Sequence, residues 1–218
     1  MMRFGGDHAR FFGAVYQGEA PWDIGTPQPA LTQMFETFPL RSPVLDVGCG
    51  SGDLAIWIAR HGHDAVGVDL VSAAIARARQ KQGFLPLDIG RNLECRVSDA
   101  LRPALLGRRF ASVVDSGFYH LFEQDDCARF AEELAHVLEP GGRYYLLAFA
   151  AELPAPDVPR AVTELELRAH FNARSGWRVL DVRAAEFVSR VGVVPAICAC
   201  FERSRAWQPS TTRNVHAR

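Results

Sequence analysis

Short runs of apolar and β-branched residues alternate along the chain with helical patterns. The runs predict strands at residues 43–47, 65–69, 93–97, 110–115 and 143–149. The helical patterns lie between successive strands, at residues 54–60, 71–82 and 125–138. Strands and helices that alternate at this spacing form βαβ units, which build a mostly parallel sheet with helices on both faces.

The pattern changes after Ala150. A Pro-rich loop leads to a short helical pattern near residues 163–170, and strand patterns follow near 177–187 and 193–201. Only a short break separates these two strands, so we expect an antiparallel hairpin at the edge of the sheet. The predicted fold class is therefore α/β, with a Rossmann-like sheet of seven mostly parallel strands.

The chain of 218 residues is long enough for one domain with a small appendage. We divide it into an N-terminal segment (1–40), a domain (41–202) and a polar, aperiodic tail (203–218) that is predicted to fray. Hydrophobic residues make up 48% and charged residues 22%, which supports a sizeable core and argues against general disorder.

Charge and cysteine usage restrict the partners. The formal net charge of −1 gives no sign of a basic nucleic-acid-binding surface, and no apolar run approaches a membrane span. Charged residues near the N-terminus argue against a signal peptide. The five cysteines form no CxxC, and Cys198 and Cys200 share one strand face, so we expect a reduced, cytoplasmic compartment. His61 and His63 have no third ligand nearby, so no metal site is predicted.

The strongest chemical signal is the run Asp46-Val-Gly-Cys-Gly-Ser-Gly, which follows the first predicted strand and opens a helix. Glycine lets the backbone turn sharply and approach a ligand closely, and the N–H groups at a helix start attract anionic groups. The next strand ends in Asp69, about 20 residues further on, where an acid can bind ribose hydroxyls. The arrangement predicts a site for a nucleoside-containing cofactor.

Two cofactor classes use such a loop. A dinucleotide site has the spacing G-x-G-x-x-G, but the third residue after Gly50 is Asp53, whose charge would repel a pyrophosphate. An acid followed by G-x-G-x-G resembles motif I of the class I S-adenosylmethionine-dependent methyltransferases. The resemblance implies that Asp46, Gly48, Cys49 and Gly50 hold the methionyl end of S-adenosylmethionine (SAM). The Cys49 thiol itself needs no role.

The same resemblance suggests the remainder of the cofactor site. Asp69, with Leu70 beside it, would bind the ribose, and Asp99 with Ala100 would bind the adenine. Asp115, in the position of motif IV, would touch the cofactor or orient its loop. Asp69 could instead cap the helix that follows it, and Asp99 could be an ordinary loop acid.

The fourth strand delivers the sequence Asp-Ser-Gly-Phe-Tyr-His (115–120) to the carboxyl end of the sheet, where ligands bind in open α/β folds. His120 is the candidate general base, because its ordinary pKa suits proton removal near neutrality. It could equally pack against a neighbour. Asp115 is the second catalytic candidate. Phe118 and Tyr119, with His120, would line an acceptor pocket, or anchor the next helix in the core.

The stretch EAPWDIGTPQPAL (19–31) is too broken for a strand or a helix, yet it contains Trp22. Aromatic residues cluster before residue 40, and this segment could pack on the sheet or form a lid. Its WD-x-G pattern resembles methyltransferases related to thiopurine and halide/thiol methyltransferases. Combined with DS-x-x-(F/Y)-H, it resembles actinobacterial small-molecule methyltransferases. In these the segment closes over the site, which implies that Tyr16 and Trp22 contact the cofactor and Phe12 the acceptor.

These resemblances imply a SAM-dependent methyltransferase that acts on a small apolar or aromatic molecule. We expect sulfur as the favoured acceptor atom, followed by oxygen or nitrogen, in detoxification or in tailoring a secondary metabolite. S-adenosylhomocysteine (SAH) would be the second product. An NAD-dependent oxidoreductase of similar architecture and a non-catalytic SAM-binding protein are the alternatives. We expect a monomer or homodimer with no nucleic-acid or membrane partner.

Overall fold

A single mixed sheet organises the protein, a computed structural model of which describes residues 8–154 and 158–205. Its strands are β1 Val44–Val47, β2 Ala65–Asp69, β3 Leu93–Val97, β4 Phe110–Ser116, β5 Leu138–Phe149, β6 Trp177–Ser189 and β7 Gly192–Arg203. Their order is β3-β2-β1-β4-β5-β7-β6, and β7 is antiparallel to both neighbours, whereas β1 to β5 pair in parallel. The predicted Rossmann-like class and its antiparallel C-terminal hairpin are confirmed.

Helices cover both faces of this sheet. In the described part of the chain they are α1 His8–Val15, α2 Pro29–Thr37, α3 Asp53–Arg60, α4 Ser72–Gln82, α5 Leu87–Gly90, α6 Gln124–Val137 and α7 Glu164–His170. Side chains of α2, α3 and α4 share one buried cluster, and those of α6 and α7 share the other.

Strand β5 lies between the two buried layers. Tyr144 and Leu146 belong to the layer under α6, whereas Tyr145 and Leu147 belong to the layer under α2 and α3. Successive side chains point to opposite faces, so a strand that is covered on both sides must be apolar at every position. This explains the nearly continuous apolar run in the sequence.

Two local predictions need correction. The stretch 19–31 is not irregular to its end, because α2 begins at Pro29. Proline is favourable at the first helical position, where its missing N–H has no intrahelical partner to lose. Residues 139–142, which the prediction left between the helix at 125–138 and the strand at 143–149, lie inside β5, where the register with β4 shifts and Gly141 takes φ 81°. The strand therefore starts earlier than predicted.

Only the beginning of the predicted tail falls within the described residues. Arg203 still belongs to β7, and its Nη1 donates to the Leu138 carbonyl oxygen at 2.8 Å. Residues 206–218 lie outside the described residues. Among the described helices, none is both long and apolar enough to cross a membrane. All five cysteines are free thiols, and four of them are buried.

Replacing Leu146 with alanine should lower the free energy of unfolding by about 2–5 kcal/mol, because a fully buried side chain of the central sheet leaves a cavity. Leu165→Ala on α7 is the matched control, since that side chain is 81% exposed, and should cost less than about 0.5 kcal/mol. Urea unfolding followed by circular dichroism measures both variants. Equal losses would contradict this assignment of the core.

Candidate active site

The glycine loop after β1 is shaped by close approach of other elements. Gly48 and Gly50 take φ values of 65° and 53°, in the left-handed region. A Cβ at Gly48 would lie 2.7 Å from a ring carbon of Phe118, and one at Gly50 would lie 2.4 Å from the Tyr16 hydroxyl. Only glycine permits both the backbone conformation and these contacts. The loop therefore requires its glycines for packing as well as for any ligand.

Cys49, between these glycines, has its polar groups committed to the loop. Its N–H donates to the Val68 carbonyl at 2.9 Å, and its carbonyl accepts from the Gly52 N–H at 2.9 Å. The sulfur lies over Gly67, where an added Cβ would come within 2.9 Å of it. Cys49 lines the adjoining pocket, and its backbone bonds fix the shape of the loop. That its thiol needs no role stays a prediction.

Asp46 is a buried acid with an unused hydrogen-bonding oxygen. Its side chain is 2% exposed, and Oδ2 has no partner. Burial, followed by the negative charge of Asp115, raises the pKa of this carboxyl well above its ordinary value. Together with Asp23 and Asp53, Asp46 lines a small pocket of about 70 Å³ beneath the N-terminal segment. An unpaired buried carboxylate oxygen suits an ammonium group, so the site fits the methionyl end of SAM.

Asp69 and Leu70 lie at the carboxyl end of β2. The carboxylate accepts from the Gly50 N–H at 3.0 Å and from the Val71 N–H at 2.8 Å, which fixes the glycine loop against the start of α4. Burial raises its pKa, while these N–H groups oppose the shift. The bond to Val71 ends at the residue that precedes α4, and no side chain caps that helix start. Asp69 also lines the larger cavity together with the half-exposed Leu70. Each carboxylate oxygen retains a second lone pair for ribose hydroxyls.

Asp99 and Ala100 follow β3 and line the same cavity. Asp99 Oδ1 accepts from the Leu101 N–H at 3.0 Å, and its Oδ2 lies 3.6 Å from Nε of the exposed Arg102. Ala100 is 3% exposed and packs in the core. This loop stands beside Asp69 at the β2–β3 side of the sheet, where the prediction of an adenine contact requires it.

Tyr16 and Trp22 form the wall between the two cavities, and both line each of them. Trp22 Nε1 donates to the Tyr16 hydroxyl at 2.9 Å, and the two rings meet edge to face with centroids 6.0 Å apart. Phe12 of α1 packs against Trp22 at 5.6 Å and lines the larger cavity. The N-terminal segment therefore lies directly over the glycine loop.

The tip of the β6–β7 hairpin holds this segment in place, which the sequence did not indicate. Gln28, 4% exposed, donates from Nε2 to the Val188 carbonyl and accepts from the Val188 N–H through Oε1, both at 2.8 Å. Arg190 donates through Nε to the Asp23 carbonyl at 2.7 Å and through its N–H to the Pro21 carbonyl at 2.8 Å. The segment is thus tied to the far edge of the sheet.

Asp53 is paired, contrary to the argument made from its charge. Lys81 Nζ lies 2.6 Å from Asp53 Oδ1 and 3.8 Å from Asp23 Oδ1. Ser51 Oγ joins the cluster, donating to Asp23 Oδ2 at 2.7 Å. Because Lys81 offsets the charge of Asp53, repulsion of a pyrophosphate is a weak argument against dinucleotides. The spacing of the glycines remains the stronger one.

Asp115 points away from both cavities. Its carboxylate accepts from the Phe118 N–H at 2.7 Å, from the Tyr119 N–H at 3.0 Å and from the Tyr144 hydroxyl at 2.8 Å. Burial raises its pKa to about 7. These bonds fit the loop-orienting role that was one of its two predicted alternatives, and Asp115 lines neither cavity. Its cofactor and catalytic roles stay predictions. Tyr119 is fully buried in the core, with its hydroxyl 2.8 Å from His170 Nδ1, so it does not line the acceptor pocket.

His120 lines the larger cavity but is itself enclosed. Its Nδ1 accepts from the Phe149 N–H at 3.0 Å. Burial, then the positive charge of Arg160, lowers its pKa to about 3. A base must hold the proton that it removes, and this environment is unfavourable for that. The general-base role stays a prediction, with the local geometry against it.

The larger cavity has a volume of about 440 Å³ and a mostly apolar wall. It extends from Asp69 and Asp99 at one end to apolar side chains at the other, which come from the β4–α6 connection, the loop after β5, and β5 and β6 themselves. The residues of that second end include Leu121, Phe122, Phe149, Leu153, Val158 and Phe187. The volume is in the range of small-molecule sites, and the apolar end suits an aromatic or aliphatic acceptor.

A buried arginine braces the loop that carries His120. Arg160 donates through its N–H to the His120 carbonyl at 3.1 Å and through Nε to the Phe122 carbonyl at 2.6 Å. Its guanidinium makes two bonds to Glu166, at 2.7 and 2.5 Å, and contacts the Cys127 sulfur at 2.9 Å. Cys127 and Glu166, with His170, have metal-ligand spacing, but Arg160 already occupies that position with a cation.

Comparison with known proteins identifies the class. Residues 44–142 match the family model described as a methyltransferase domain. The chain is 32% identical over 184 residues to the 2-heptyl-1-hydroxyquinolin-4(1H)-one methyltransferase of Mycobacteroides abscessus, covering 80% of this chain and 79% of that protein. It is 27% identical over 150 residues to the probable thiol methyltransferase 2 of Arabidopsis thaliana, covering 68% and 65% of the two chains.

A solved structure has the same fold over most of its length. It is a protein studied for the conversion of a disulfide bond into a thioacetal group during echinomycin biosynthesis, with TM-score 0.77, 29% identity, and coverage of 91% and 94% of the two chains. A glycopeptide N-methyltransferase complexed with SAM shares the fold, with TM-score 0.62, 19% identity, and coverage of 81% and 95% of the two chains. The chain belongs to the SAM-dependent methyltransferases. Within that class, both curated relatives are named for small-molecule acceptors.

The structure gathers most of the predicted site residues around two adjoining cavities. The smaller cavity is lined by Tyr16, Trp22, Asp46, Gly48, Cys49 and Gly50. The larger is lined by Phe12, Asp69, Leu70, Asp99, Ala100, Phe118 and His120. Asp115 and Tyr119 are excluded from both. Gln28, Phe187 and Arg160 were missed, because nothing in their local sequence marks them.

Replacing Asp46 with asparagine should weaken SAH binding at least tenfold, or about 1.4 kcal/mol. The amide keeps the shape of the side chain but removes the charge that would face an ammonium group. Asp88→Asn, on the surface of α5, is the matched control. Isothermal titration calorimetry measures both variants, and an unchanged dissociation constant for Asp46→Asn would remove this residue from the cofactor site.

Replacing Gln28 with glutamate should loosen residues 19–28, because the carboxylate cannot donate to the Val188 carbonyl and leaves it unpaired. We expect cleavage within this segment to become at least fivefold faster in limited proteolysis, and SAH to bind more weakly. Gln33→Glu on the exposed side of α2 makes the same chemical change without the bond. Equal cleavage of the two variants would show that the hairpin tip does not hold the segment.

Proposed function

We propose that the enzyme methylates a heteroatom of a small apolar or aromatic molecule, with sulfur favoured and oxygen or nitrogen next. The observation that carries this proposal is that the two cavities are adjacent and share lining residues, among them Trp22, Gly48 and Phe187. A small acidic pocket at the glycine loop adjoins a larger apolar chamber, and Tyr16 and Trp22 form their common wall. A cationic cofactor and an apolar acceptor would meet at that wall.

When bound, SAM supplies an electrophilic methyl group on a sulfonium. The residues of this chain contribute placement and exclusion of water. Asp46 would hold the ammonium group, Asp69 the ribose and Asp99 the adenine end, with Leu70 against the adenine ring. Glycine-loop backbone between Gly48 and Gly50 would lie along the methionyl chain. We infer each of these roles from the position of the residue on the wall of one of the two cavities.

Residues 1–40 would act as the lid of this site. Their support is the location of Tyr16 and Trp22 over the glycine loop and the bonds of Gln28 to the β6–β7 hairpin. A closed lid keeps water from the reacting atoms. Phe12 and Phe118 would then hold the acceptor from two sides, with His120 beside it.

The preference for sulfur has two supports. A thiol has an ordinary pKa near 8.5, so a substantial fraction ionises close to neutral pH without help from a strong base. One relative is named as a probable thiol methyltransferase. Another is named as a hydroxyquinolinone methyltransferase, and because that heterocycle carries oxygen and nitrogen but no sulfur, it supports the second choice of acceptor atom. Detoxification and natural-product tailoring both use such acceptors. A cytoplasmic location and a monomeric or homodimeric state accompany this proposal.

A mass-spectrometric screen tests the proposal directly. The purified chain is incubated with SAM and a panel of aromatic thiols, phenols and nitrogen heterocycles, and products are examined for the mass of one added methyl group. We expect methylated thiols to form fastest. Tight SAH binding without turnover would instead support a non-catalytic SAM-binding protein, and binding of NAD in preference to SAH would support an oxidoreductase.

Replacing Trp22 with alanine tests the lid. We expect SAH affinity to fall about tenfold and kcat to fall further, because the indole lines both cavities and holds the Tyr16 hydroxyl over the glycine loop. Trp57→Ala, on α3 and away from both cavities, removes an indole of the same size and controls for general destabilisation. Unchanged affinity and turnover in Trp22→Ala would reduce residues 19–31 to a linker.

A further inference from the structure

The imidazole of His120 is held in one state by its backbone partner. Its Nδ1 accepts from the Phe149 N–H at 3.0 Å, and an accepting nitrogen carries no proton. The neutral ring therefore has its proton on Nε2. The rings of Phe149 and Phe187 lie 4.5 and 6.1 Å away, centroid to centroid, and enclose the imidazole. The Gly117 backbone is its second hydrogen-bonding neighbour, and the remainder of the wall around the ring is apolar. An acceptor that binds the Nε2–H would therefore compete with the backbone of this loop.

The charged groups around His120 maintain this neutral state. Arg160 is the nearby cation, and its N–H also donates to the His120 carbonyl, so a protonated ring would add a second positive charge beside it. The carboxylate of Asp115, on the same loop, is turned toward Phe118, Tyr119 and Tyr144. Arg160 itself is neutralised by Glu166. No acid among the described residues is bonded to the imidazole.

The other titratable side chains on the described chamber wall are already engaged. The Tyr16 hydroxyl accepts from Trp22, and burial raises its pKa far above the ordinary value. Asp69 and Asp99 accept backbone N–H groups at the ends of β2 and β3. In the strand order β2 lies two positions from β4, or roughly 10 Å away. These acids therefore stand at the cofactor end of the cavity.

We propose that the chamber selects acceptors that are already anionic, and that the Nε2–H of His120 donates a hydrogen bond to the anion. The acceptor class is an acidic thiol or hydroxyl on an apolar ring. This inference rests on the proposed function and deepens it by naming the ionisation state of the substrate.

The chemical step balances without a base. The acceptor proton passes to solvent before the reaction. A lone pair of the anion then forms the bond to the methyl carbon, the bond from that carbon to the sulfonium sulfur breaks, and its electron pair remains on the sulfur of SAH. The negative and positive charges cancel in two neutral groups. His120 keeps its proton throughout, so its contribution is to binding and orientation.

A series of ring-substituted thiophenols and phenols tests the ionisation state. For each acceptor, kcat/KM is measured from pH 5 to 10, and the midpoint of its rise should follow the pKa of the free acceptor. A midpoint shared by all members of the series would overturn the inference and restore an enzyme base. If no member is methylated at any pH while SAH still binds, the proposed function fails instead.

Two replacements of His120 distinguish a hydrogen-bond donor from a general base. His120→Leu removes the Nε2–H, and we expect KM for anionic acceptors to rise at least tenfold with a smaller change in kcat. His120→Gln keeps an N–H donor near the position of Nε2, and its KM should rise less. In both variants the midpoint should still follow the acceptor. Equal loss of kcat in the two, with loss of the pH dependence, would identify a base.

Two further measurements keep the test independent of these variants. Asp157 is a titratable residue that lies outside the described residues, so the variant Asp157→Asn is assayed in parallel as a test for a base at that position. Loss of the pH dependence in that variant would overturn the inference.

Binding of 4-nitrophenol to the wild-type SAH complex is followed by phenolate absorbance. We expect the bound phenol to ionise at lower pH than the free one, and His120→Leu to abolish that shift. Binding in the neutral form would contradict the proposal.

Discussion

The site depends on close packing against three glycines of the loop after β1, namely Gly48, Gly50 and Gly52. At the glycine loop, groups from three separate parts of the chain come closer than a Cβ would allow, and the chain cannot bring them together at any larger residue. Removing that space would separate the N-terminal segment, the loop after β4 and helix α4 from one another. The contacting pairs are Phe118 with Gly48, Tyr16 with Gly50, and Ala78 with Gly52.

The two ends of the site differ in the charge of their buried polar groups. At the glycine loop, the fold buries Asp46 with one oxygen unpaired, which costs stability until a cation approaches. At the far end of the larger cavity, the fold keeps His120 neutral and surrounds it with aromatic rings. A positively charged cofactor suits the first environment, and an apolar acceptor with one polar atom suits the second. Methyl transfer from a cation to an anion would remove both charges at the boundary between them.

Local sequence predicted the fold and the cofactor side of the site because the signals there are local. Asp46, the glycines and Asp69 lie at strand ends, and their spacing reflects a single βαβ unit. The acceptor side depends on contacts between distant residues, which no local pattern records. The bond between Gln28 and Val188 joins positions 160 residues apart. The neutral state of His120 depends on Phe149 and Arg160, and these distant residues shift its pKa away from the ordinary value on which the prediction of a base rested.

The tie between the N-terminal segment and the β6–β7 hairpin has a consequence for biosynthesis. During translation, the glycine loop and the first four strands leave the ribosome well before Val188 does, and domains assemble as their parts emerge. The segment that covers the loop is made before the loop itself, yet its partner at the sheet edge is made about 160 residues later. Until then the acidic pocket is open on one side, so the nascent chain can acquire a complete cofactor site only as its final strands fold.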